Sequence, residues 1–373
     1  MRIRALLMYT VLLSLTVLLL SGCGIFQGEQ TTGEMDTPPE DASYTDDLET
    51  ETGTDEQNAE GQDTESEDGT SEDQTEAEGT EAETVQRQLY LLDANGMVVP
   101  QTIELPKSTE VAQQSLEYMI KGGPVTELLP EGFEAVLPAG TEIIGLNLEE
   151  DGTLIVDVSK EFAEYRPEDE LKILQAMTYT LTQFDNVDKI KLWINGYEQK
   201  EMPVNGTPMN DGYSRVNGIN IYESDSVDFM DSKAVTLYYP AQQDGEMYFV
   251  PVTQHVAMDT DNTYASLVQA LVNGPAYNLD LYNVFNSGVE LAEQPEITEG
   301  VLSLTFNENI FNDLERASIS DEVMETLVLT LTEQPGVEAV DVSVSDYEQV
   351  FNSSGVPYSE PVSRDTFVPT GSY

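Results

Sequence analysis

Carboxylates are the most abundant side chains in this 373-residue sequence that could do chemistry, with 70 Asp and Glu against 15 Lys and Arg. Two clusters, Glu149-Glu150-Asp151 and Glu168-Asp169-Glu170, lie in regions of globular composition. Two carboxylates that face each other at about 5–10 Å could hydrolyse a glycosidic bond, so a carboxylate-dependent peptidoglycan hydrolase is one hypothesis. However, the first cluster flanks a predicted turn and the second begins a predicted helix, where acidic residues have a structural reason. We therefore expect no enzyme activity and keep the hydrolase as the alternative.

Other reactive side chains are few. His255 is the only histidine, so a Ser-His-Asp triad would have one available base. It lies in the segment VTQHVAM, a predicted strand, and a surface or sheet-edge role is the simpler interpretation. Cys23 is the only cysteine, which excludes a disulfide and a thiolate metal site. No glycine-rich phosphate loop is present. We expect neither a cofactor nor a metal ion.

The surroundings of Cys23 predict export and lipidation. Arg2 and Arg4 precede an almost wholly apolar run over residues 5–20, and small residues follow it, as in a secretory signal peptide. Leu20-Ser21-Gly22-Cys23 also fits a bacterial lipobox, in which the peptide is cut before an acylated cysteine. We expect residues 1–22 to be removed and a lipid on Cys23, such as palmitate, to hold the chain on the extracytoplasmic face of the cell membrane. An ordinary signal peptide or an uncleaved anchor is the alternative.

A strongly acidic segment follows the predicted lipid site. The formal net charge of the chain is -55, which disfavours nucleic acid and anionic membrane as partners. Residues 29–83 alone contain 22 Asp and Glu and no Lys or Arg. Such a composition cannot bury enough apolar surface to offset the entropy of ordering the chain. Residues 23–84 are therefore predicted to be a disordered tether.

The remaining sequence repeats itself weakly. In each copy a tyrosine-containing strand is followed by a helix that stops at Gly-Pro, a hairpin, a second helix and a last strand. The paired segments are QLYLLD and VTLYYP, Gly123-Pro124 and Gly274-Pro275, Gly152-Thr153-Leu154 and Gly300-Val301-Leu302, and VDKIKLWIN and VEAVDVSVS. The predicted fold class is α/β (α+β): two tandem β-α-β-β-α-β units, each with helices on one face of a small mixed sheet.

The expected domain boundaries follow from this repeat. Residues 85–198 and 233–350 are predicted to be the two domains. Residues 199–232 are rich in Asn, Gly, Ser and Asp and are expected to be a linker, ordered in part by Ile219, Ile221 and Tyr222. Residues 351–373 are expected to be an irregular C-terminal tail.

Trp193 is the candidate partner-binding residue. In the strand VDKIKLWIN, alternation places Lys189, Lys191 and Trp193 on one face and the apolar core residues on the other. An exposed tryptophan beside lysines could contact a protein partner or a glycan. Coverage by a neighbouring domain is the simpler alternative. Ser343 holds the corresponding position in the second copy, so such a site would be confined to the first.

The lipobox, the spacer and the two ordered repeats together resemble the GerM-like sporulation and germination lipoproteins, whose repeating unit is the GerMN domain. The resemblance covers residues 86–350 and depends on Leu89-Tyr90-Leu91, Leu237-Tyr238-Tyr239 and the Gly-Pro and Gly-Thr/Val-Leu positions above. It implies an exported lipoprotein of spore-forming bacteria that acts in envelope assembly between mother cell and forespore.

The resemblance also implies the partners. The unit is similar to the ring-building motif of sporulation-channel proteins, which implies a non-enzymatic scaffold that binds envelope or channel proteins through sheet edges. Peptidoglycan is a further candidate partner. GerMN domains also occur in lipoproteins that adjust membrane sensor kinases, so regulation of a kinase is another alternative. Those proteins usually carry a propeller-like domain, which this sequence has no room to form.

Overall fold

The computed structural model describes residues 83–223, 232–259 and 262–367. The predicted signal peptide, Cys23 and the acidic segment to residue 82 lie outside these ranges. The first repeat contains, in chain order, β1 (Thr84–Leu92), β2 (Val98–Pro106), α1 (Val111–Glu117), β3 (Ile143–Leu148), β4 (Thr153–Val158), α2 (Glu170–Leu181), β5 (Lys189–Ile194), β6 (Tyr197–Glu198) and β7 (Tyr213–Ser214).

The second repeat follows the same order. It contains β8 (Ser232–Gln243), β9 (Glu246–Ala257), α3 (Thr263–Asn273), β10 (Glu296–Thr298), β11 (Val301–Phe306), α4 (Asp321–Leu331), β12 (Ala339–Val344) and β13 (Val362–Ser363). Side chains cap the starts of both helices: the Asn262 side chain accepts from the Ala265 N–H, and the Ser320 hydroxyl accepts from the Val323 N–H. In the part of the chain that the structure describes, no helix is long and apolar enough to cross a membrane.

Each repeat has a two-stranded hairpin and a separate mixed sheet. The hairpins are β1–β2 and β8–β9, and the sheets have the strand orders β3-β4-β5-β6, with β7 also paired to β5, and β10-β11-β12-β13. The central pairs β4–β5 and β11–β12 are parallel, with Val156 opposite Leu192 and Leu304 opposite Val342. Parallel neighbours require a crossover, which α2 and α4 supply. The predicted mixed α/β class is confirmed.

The hairpins add a strand that the sequence pattern did not predict. Sequence analysis identified β1 and the start of β8 but assigned nothing to residues 98–106. In the structure these residues form β2, which pairs along its whole length with β1. Pro100 and Pro106 within this run weaken the strand signal, because proline cannot donate to a ladder.

The second helix of each repeat is buried on more than one side. From Ile173 to Leu181 every residue of α2 is buried, and α4 is buried from Thr326 to Leu331. Leu171, in the first turn of α2, is an exception and is 43% exposed. This helix contacts its mixed sheet and also the hairpin, so a single amphipathic stripe does not describe it.

A threonine joins each buried helix to its hairpin. The Tyr90 N–H donates to Thr180 Oγ1 at 3.0 Å, and the Tyr238 N–H donates to Thr330 Oγ1 at 2.9 Å. The residues opposite these tyrosines in the hairpins are Pro100 and Pro251. A proline at this position costs no hydrogen bond between the two strands, because the tyrosine N–H points away from the partner strand and donates to the helix.

The segments expected as linker and tail contain matching elements. β7 pairs with β5 through Lys189 and Ser214, and β13 pairs with β12 through Ala339 and Ser363. A single 3₁₀ turn follows each strand, Arg215–Asn217 and Arg364–Thr366. Each repeat therefore extends beyond the last predicted strand. Two-residue strands have no periodicity that a sequence could show, which is why composition alone indicated a linker and a tail.

Valine at Thr180 or Thr330 is expected to lower the free energy of unfolding by ~1–3 kcal/mol, because the tyrosine N–H would stay buried without an acceptor. Denaturant unfolding of each variant measures this. The exposed Thr298 on β10 provides the matched control, and its valine variant should stay within ~0.5 kcal/mol of the wild type. Equal stability of all three variants would refute the role given to the two hydroxyls.

Candidate functional site

The helix-start carboxylate cluster has structural partners. The Glu170 side chain is buried and accepts hydrogen bonds from the N–H groups of Val204, Asn205 and Thr207, and from the hydroxyls of Thr207 and Tyr165, at 2.6 to 3.1 Å. Burial alone would raise the pKa of Glu170, but these donors outweigh it and lower the pKa. Glu170 is thus an ionised anchor for the loop after β6, with its lone pairs occupied.

Neighbouring carboxylates are also used locally. Asp169 receives two hydrogen bonds from the Arg166 guanidinium at 2.9 and 3.1 Å. Asp151 accepts from the Thr153 N–H and lies 3.2 Å from Lys189 Nζ, and its pKa falls to about 2 because of the bonds with Thr153 and Lys189. Within the described ranges, no group of three or more His, Cys, Asp or Glu could hold a metal ion.

His255 lies in β9, as the sequence indicated. It stands opposite Ala234 in the hairpin, and its Nδ1 is 3.0 Å from the Ser232 hydroxyl oxygen. The imidazole is half-buried at the wall of a groove beside α3. Of the triad that a hydrolase would need, the structure brings together a histidine and a serine on one hairpin.

Trp193, Lys189 and Lys191 lie on one face of β5, alternating with buried Ile190 and Leu192. All three are partly buried. Lys191 Nζ is 3.8 Å from a Glu198 carboxylate oxygen, and Trp193 lies between Asp157 on β4 and Glu198 on β6. The Trp193 Nε1 atom is buried and has no hydrogen-bond partner among the described residues. The two lysines are therefore engaged with acidic neighbours on the same sheet.

A second multiply bonded carboxylate lies where the two repeats meet. The Glu333 carboxylate, two residues after α4, accepts from Arg215 Nη1 at 2.9 Å, from Arg364 Nη1 at 3.0 Å and from the Tyr238 hydroxyl at 2.8 Å. Arg215 comes from the first repeat, whereas the other three residues belong to the second. Glu333 keeps 12% of its side chain exposed. We call these four residues the junction cluster.

The arginines of the junction cluster are held by further contacts. Arg215 donates to Thr182 Oγ1 at 2.9 Å and lies 4.7 Å above the centre of the Tyr179 ring. Arg364 donates to the Tyr238 hydroxyl at 2.8 Å and lies 5.0 Å from the centre of that ring. Burial alone would raise the pKa of Glu333, but the two guanidiniums outweigh it and lower the pKa to about 2. Glu333 is therefore ionised throughout the physiological range.

The junction cluster is nearly symmetric. Arg215 and Arg364 each begin the 3₁₀ turn that follows the last strand of their repeat. Tyr90 and Tyr238 hold equivalent hairpin positions. The symmetry breaks after the buried helices, where Gln183 holds the position of Glu333 and donates to the Gln88 carbonyl instead. The Tyr90 hydroxyl, unlike that of Tyr238, is buried without a hydrogen-bond partner in the described part of the chain.

Further contacts join the repeats at the hairpins. The Asn220 side-chain amide donates to the Val98 and Pro251 carbonyls at 2.7 and 2.8 Å, which links the two hairpins. The Tyr248 hydroxyl on β9 donates to the Asp93 carboxylate at 2.9 Å. Phe133 of the first repeat stands edge-on to Tyr248, with ring centres 5.2 Å apart. The described residues of the two repeats accordingly belong to one compact unit.

Sequence reasoning missed the junction cluster because its members lie in the presumed linker, the presumed tail and just past a helix. A signal does exist. Ser214-Arg215 and Ser363-Arg364 recur after the last predicted strand of each repeat, at distances that differ by one residue. Arginine and lysine total only 15 in the chain, so a recurring arginine was informative.

Comparison with known proteins resolves the identity of the repeats. A family model described as "Germane: Sporulation and spore germination" matches residues 88–200 and 236–349. The chain belongs to the Germane family. It is 43% identical to the spore germination protein GerM of Bacillus subtilis (strain 168) over 360 residues, which is 96% of each chain.

A solved structure of the tandem GerMN domains of the sporulation protein GerM from Bacillus subtilis is similar to this chain. The TM-score is 0.72 and the sequence identity 46%, over 78% of this chain and 100% of that one. The predicted resemblance to GerM-like proteins with two tandem GerMN domains is thus confirmed. Both the family and this relative are described in terms of sporulation and spore germination.

Replacement of Glu333 by Gln should destabilise the protein, because two arginines would share one uncharged acceptor. We expect a loss toward the lower end of ~3–5 kcal/mol, since the Arg215 and Arg364 side chains keep 28% and 24% of their surface exposed. Denaturant unfolding at pH 7 measures this loss. The exposed Asp341 on β12 provides the control, and its Asn variant should unfold like the wild type.

The Glu333→Gln variant should also change how the free energy of unfolding depends on pH in acid. Because the pKa of Glu333 is lowered from 4.5 to about 2 in the folded state, its stabilising contribution is complete above about pH 4.5 and is lost as the pH falls toward 2. Glu333→Gln should therefore lose less stability than the wild type between pH 5 and pH 2. Identical acid profiles of variant and wild type would show that the junction cluster contributes no such linkage.

Proposed function

We propose that the protein is an exported, lipid-anchored scaffold that acts in spore envelope assembly or germination. Three observations support the proposal. The chain belongs to a sporulation and spore germination family. Its first residues carry the lipobox Leu20-Ser21-Gly22-Cys23. Its two domains are joined into one unit through the junction cluster rather than by an independent linker.

The observation that carries the scaffold proposal is a pair of open sheet edges on one body. β3 is the outer strand of the first mixed sheet and β10 is the outer strand of the second. The exposed fractions of the apolar side chains Ile144 and Leu148 on β3 are 52% and 47%, and that of Ile297 on β10 is 41%. An outer strand with exposed apolar side chains is a template for pairing with a strand of another protein. We propose an edge strand of an envelope protein as the occupant.

The alternatives are less well supported. A hydrolase would need two unengaged carboxylates across a cleft, whereas Asp151, Asp169 and Glu170, three of the six candidate carboxylates, have local partners. A sensor-kinase regulator would use the same edges for a different partner. Identification of the captured partner separates the regulator from the scaffold.

Lysine at the two sheet edges should prevent assembly. We expect Ile144→Lys combined with Ile297→Lys to reduce crosslinked capture of the envelope partner in sporulating cells roughly fivefold or more, because edge lysines oppose strand pairing. The matched control is Val216→Lys, which changes an apolar side chain that is 93% exposed and lies off both edges. Unchanged capture by the edge variant, or capture of a sensor kinase alone, would contradict the scaffold proposal.

Replacement of Cys23 by Ala should abolish lipid anchoring, so that the protein either leaves the membrane or keeps its signal peptide. No other cysteine can accept the lipid, and residues 29–83 are too acidic to bind an anionic membrane themselves. Fractionation followed by immunoblotting measures the effect, with the wild type in the membrane pellet and the variant in the supernatant or retained as an uncleaved precursor. A processed, membrane-bound Cys23→Ala protein would refute lipid anchoring at this residue.

A further inference from the structure

A groove lined by uncharged amides lies in the second repeat. It has a volume of about 580 Å³ and runs between the end of β9 and helix α3. Its amide side chains are Gln254, Asn262, Gln269, Asn273 and Gln294. The volume is in the range of natural small-ligand sites, roughly 300–1,000 Å³.

A second groove adjoins the first. It has a volume of about 450 Å³, and Gln269 and Asn273 line both grooves. Further along, the second groove is lined by Asn283, Asn286 and Ser287. The two grooves thus meet at a ridge made by the last turns of α3, and an extended ligand could lie across this ridge.

Charge is scarce on these walls. Of the described residues that line the two grooves, only His255, Asp259 and Glu290 can ionise, and none is Lys or Arg. This contrasts with a chain of 70 acidic and 15 basic residues. A groove that offers many amides and few charges favours an uncharged polar ligand, because a charged ligand would leave its charge without a partner there.

The ridge presents one donor and one acceptor to a ligand. Gln269 Nε2 donates to Asn273 Oδ1 at 3.0 Å, which leaves Gln269 Oε1 as an acceptor and Asn273 Nδ2 as a donor. If both amides were turned over, the roles would be exchanged and one donor and one acceptor would still remain. Gln294 adds a further amide to the wall of the first groove. Hydroxyl and acetamido groups complement this pattern.

Exposed aromatic rings follow the ridge along the chain. The loop after α3 carries Tyr277, which is fully exposed, and Tyr282, which is 49% exposed. An aromatic face packs against the C–H face of a pyranose ring, and the phenolic hydroxyl remains in water. Neither tyrosine lines the two grooves, but exposed rings on the loop that follows α3 in the chain suit a ligand made of sugar rings.

The first repeat does not reproduce these features. Its corresponding helix α1 has an i,i+4 pair too, but Gln113 Nε2 donates there to the Glu117 carboxylate at 2.8 Å. Glu110 and Lys121 flank the same helix. The i,i+4 amide contact of the first repeat thus ends on a carboxylate, and Gln113, which lies on the other repeat, is the control for loss of a helical amide away from the grooves.

We propose that the two amide-lined grooves of the second repeat bind an N-acetylated glycan chain. The inference does not depend on the sheet edges or on lipid anchoring. It assigns a ligand to the surface of α3, whereas assembly uses β3 and β10. An exported protein with this site would hold the spore envelope assembly against the glycan of the cell wall.

The test uses the purified full chain and an N-acetylglucosamine tetramer, titrated by calorimetry. We expect saturable binding by the wild type and by Gln113→Ala, and at least a tenfold weaker affinity for the double variant Gln269→Ala and Asn273→Ala. Alanine favours helix at both positions, and thermal unfolding of the double variant checks that its fold is kept.

The deacetylated glucosamine tetramer separates recognition from charge attraction. Because that probe is cationic and the protein is strongly acidic, any binding of it should disappear in high salt and should not respond to the double variant. No saturable binding of the acetylated tetramer, equal affinity of the wild type and the double variant, or binding of the deacetylated tetramer alone would overturn the proposal. Crosslinked capture through the sheet edges would be unaffected by such a result.

Discussion

The structure depends on one carboxylate shared by two arginines. The Glu333 carboxylate accepts hydrogen bonds from Arg215 of the first repeat and from Arg364 of the second, and it accepts a further hydrogen bond from the Tyr238 hydroxyl. Buried ion pairs contribute little net stability, but removal of one partner is strongly unfavourable because the other charges stay buried. The junction cluster therefore determines how the repeats are placed more than how stable each repeat is. Amide and aromatic contacts between the hairpins, such as those of Asn220 and Tyr248, support the same arrangement.

Because the two repeats are fixed relative to each other, the duplication places two sheet edges at a fixed spacing. Each repeat has a buried helix whose threonine, Thr180 or Thr330, binds the hairpin, and each has a mixed sheet with one open edge. Two independent domains on a linker would present these edges at variable spacing. A single unit presents them at one spacing, which suits a component of a larger assembly. The amide grooves beside α3 belong to the second repeat alone, so the two copies have diverged in surface while they keep their internal contacts.

The sequence predicted the strands and helices that have a local residue pattern. It missed the elements and side chains that are ordered by residues far away in the sequence. Alternating strands such as β4 and β5 and the end of α3 directly before Gly274-Pro275 have local patterns, and the fold class followed from them. The first helix was expected to stop at Gly123-Pro124, but α1 ends earlier, at Glu117. β2 was missed because Pro100 weakens its pattern, although its position opposite Tyr90 tolerates a proline. Arg215 and Arg364 were missed because their segments show no periodicity, and both arginines are ordered by partners distant in sequence, such as Glu333. The placement of Lys189 and Lys191 on one strand face was predicted, but not their pairing with Asp151 and Glu198.

The central claim is that the two repeats form one body that sets the spacing of the two sheet edges. The most direct measurement is the distance between spin labels at Leu148→Cys on β3 and Thr298→Cys on β10, in a Cys23→Ser background that removes the only native thiol. Pulsed electron paramagnetic resonance should give a single narrow distance distribution. A broad or multimodal distribution would show that the repeats move independently and would contradict the account.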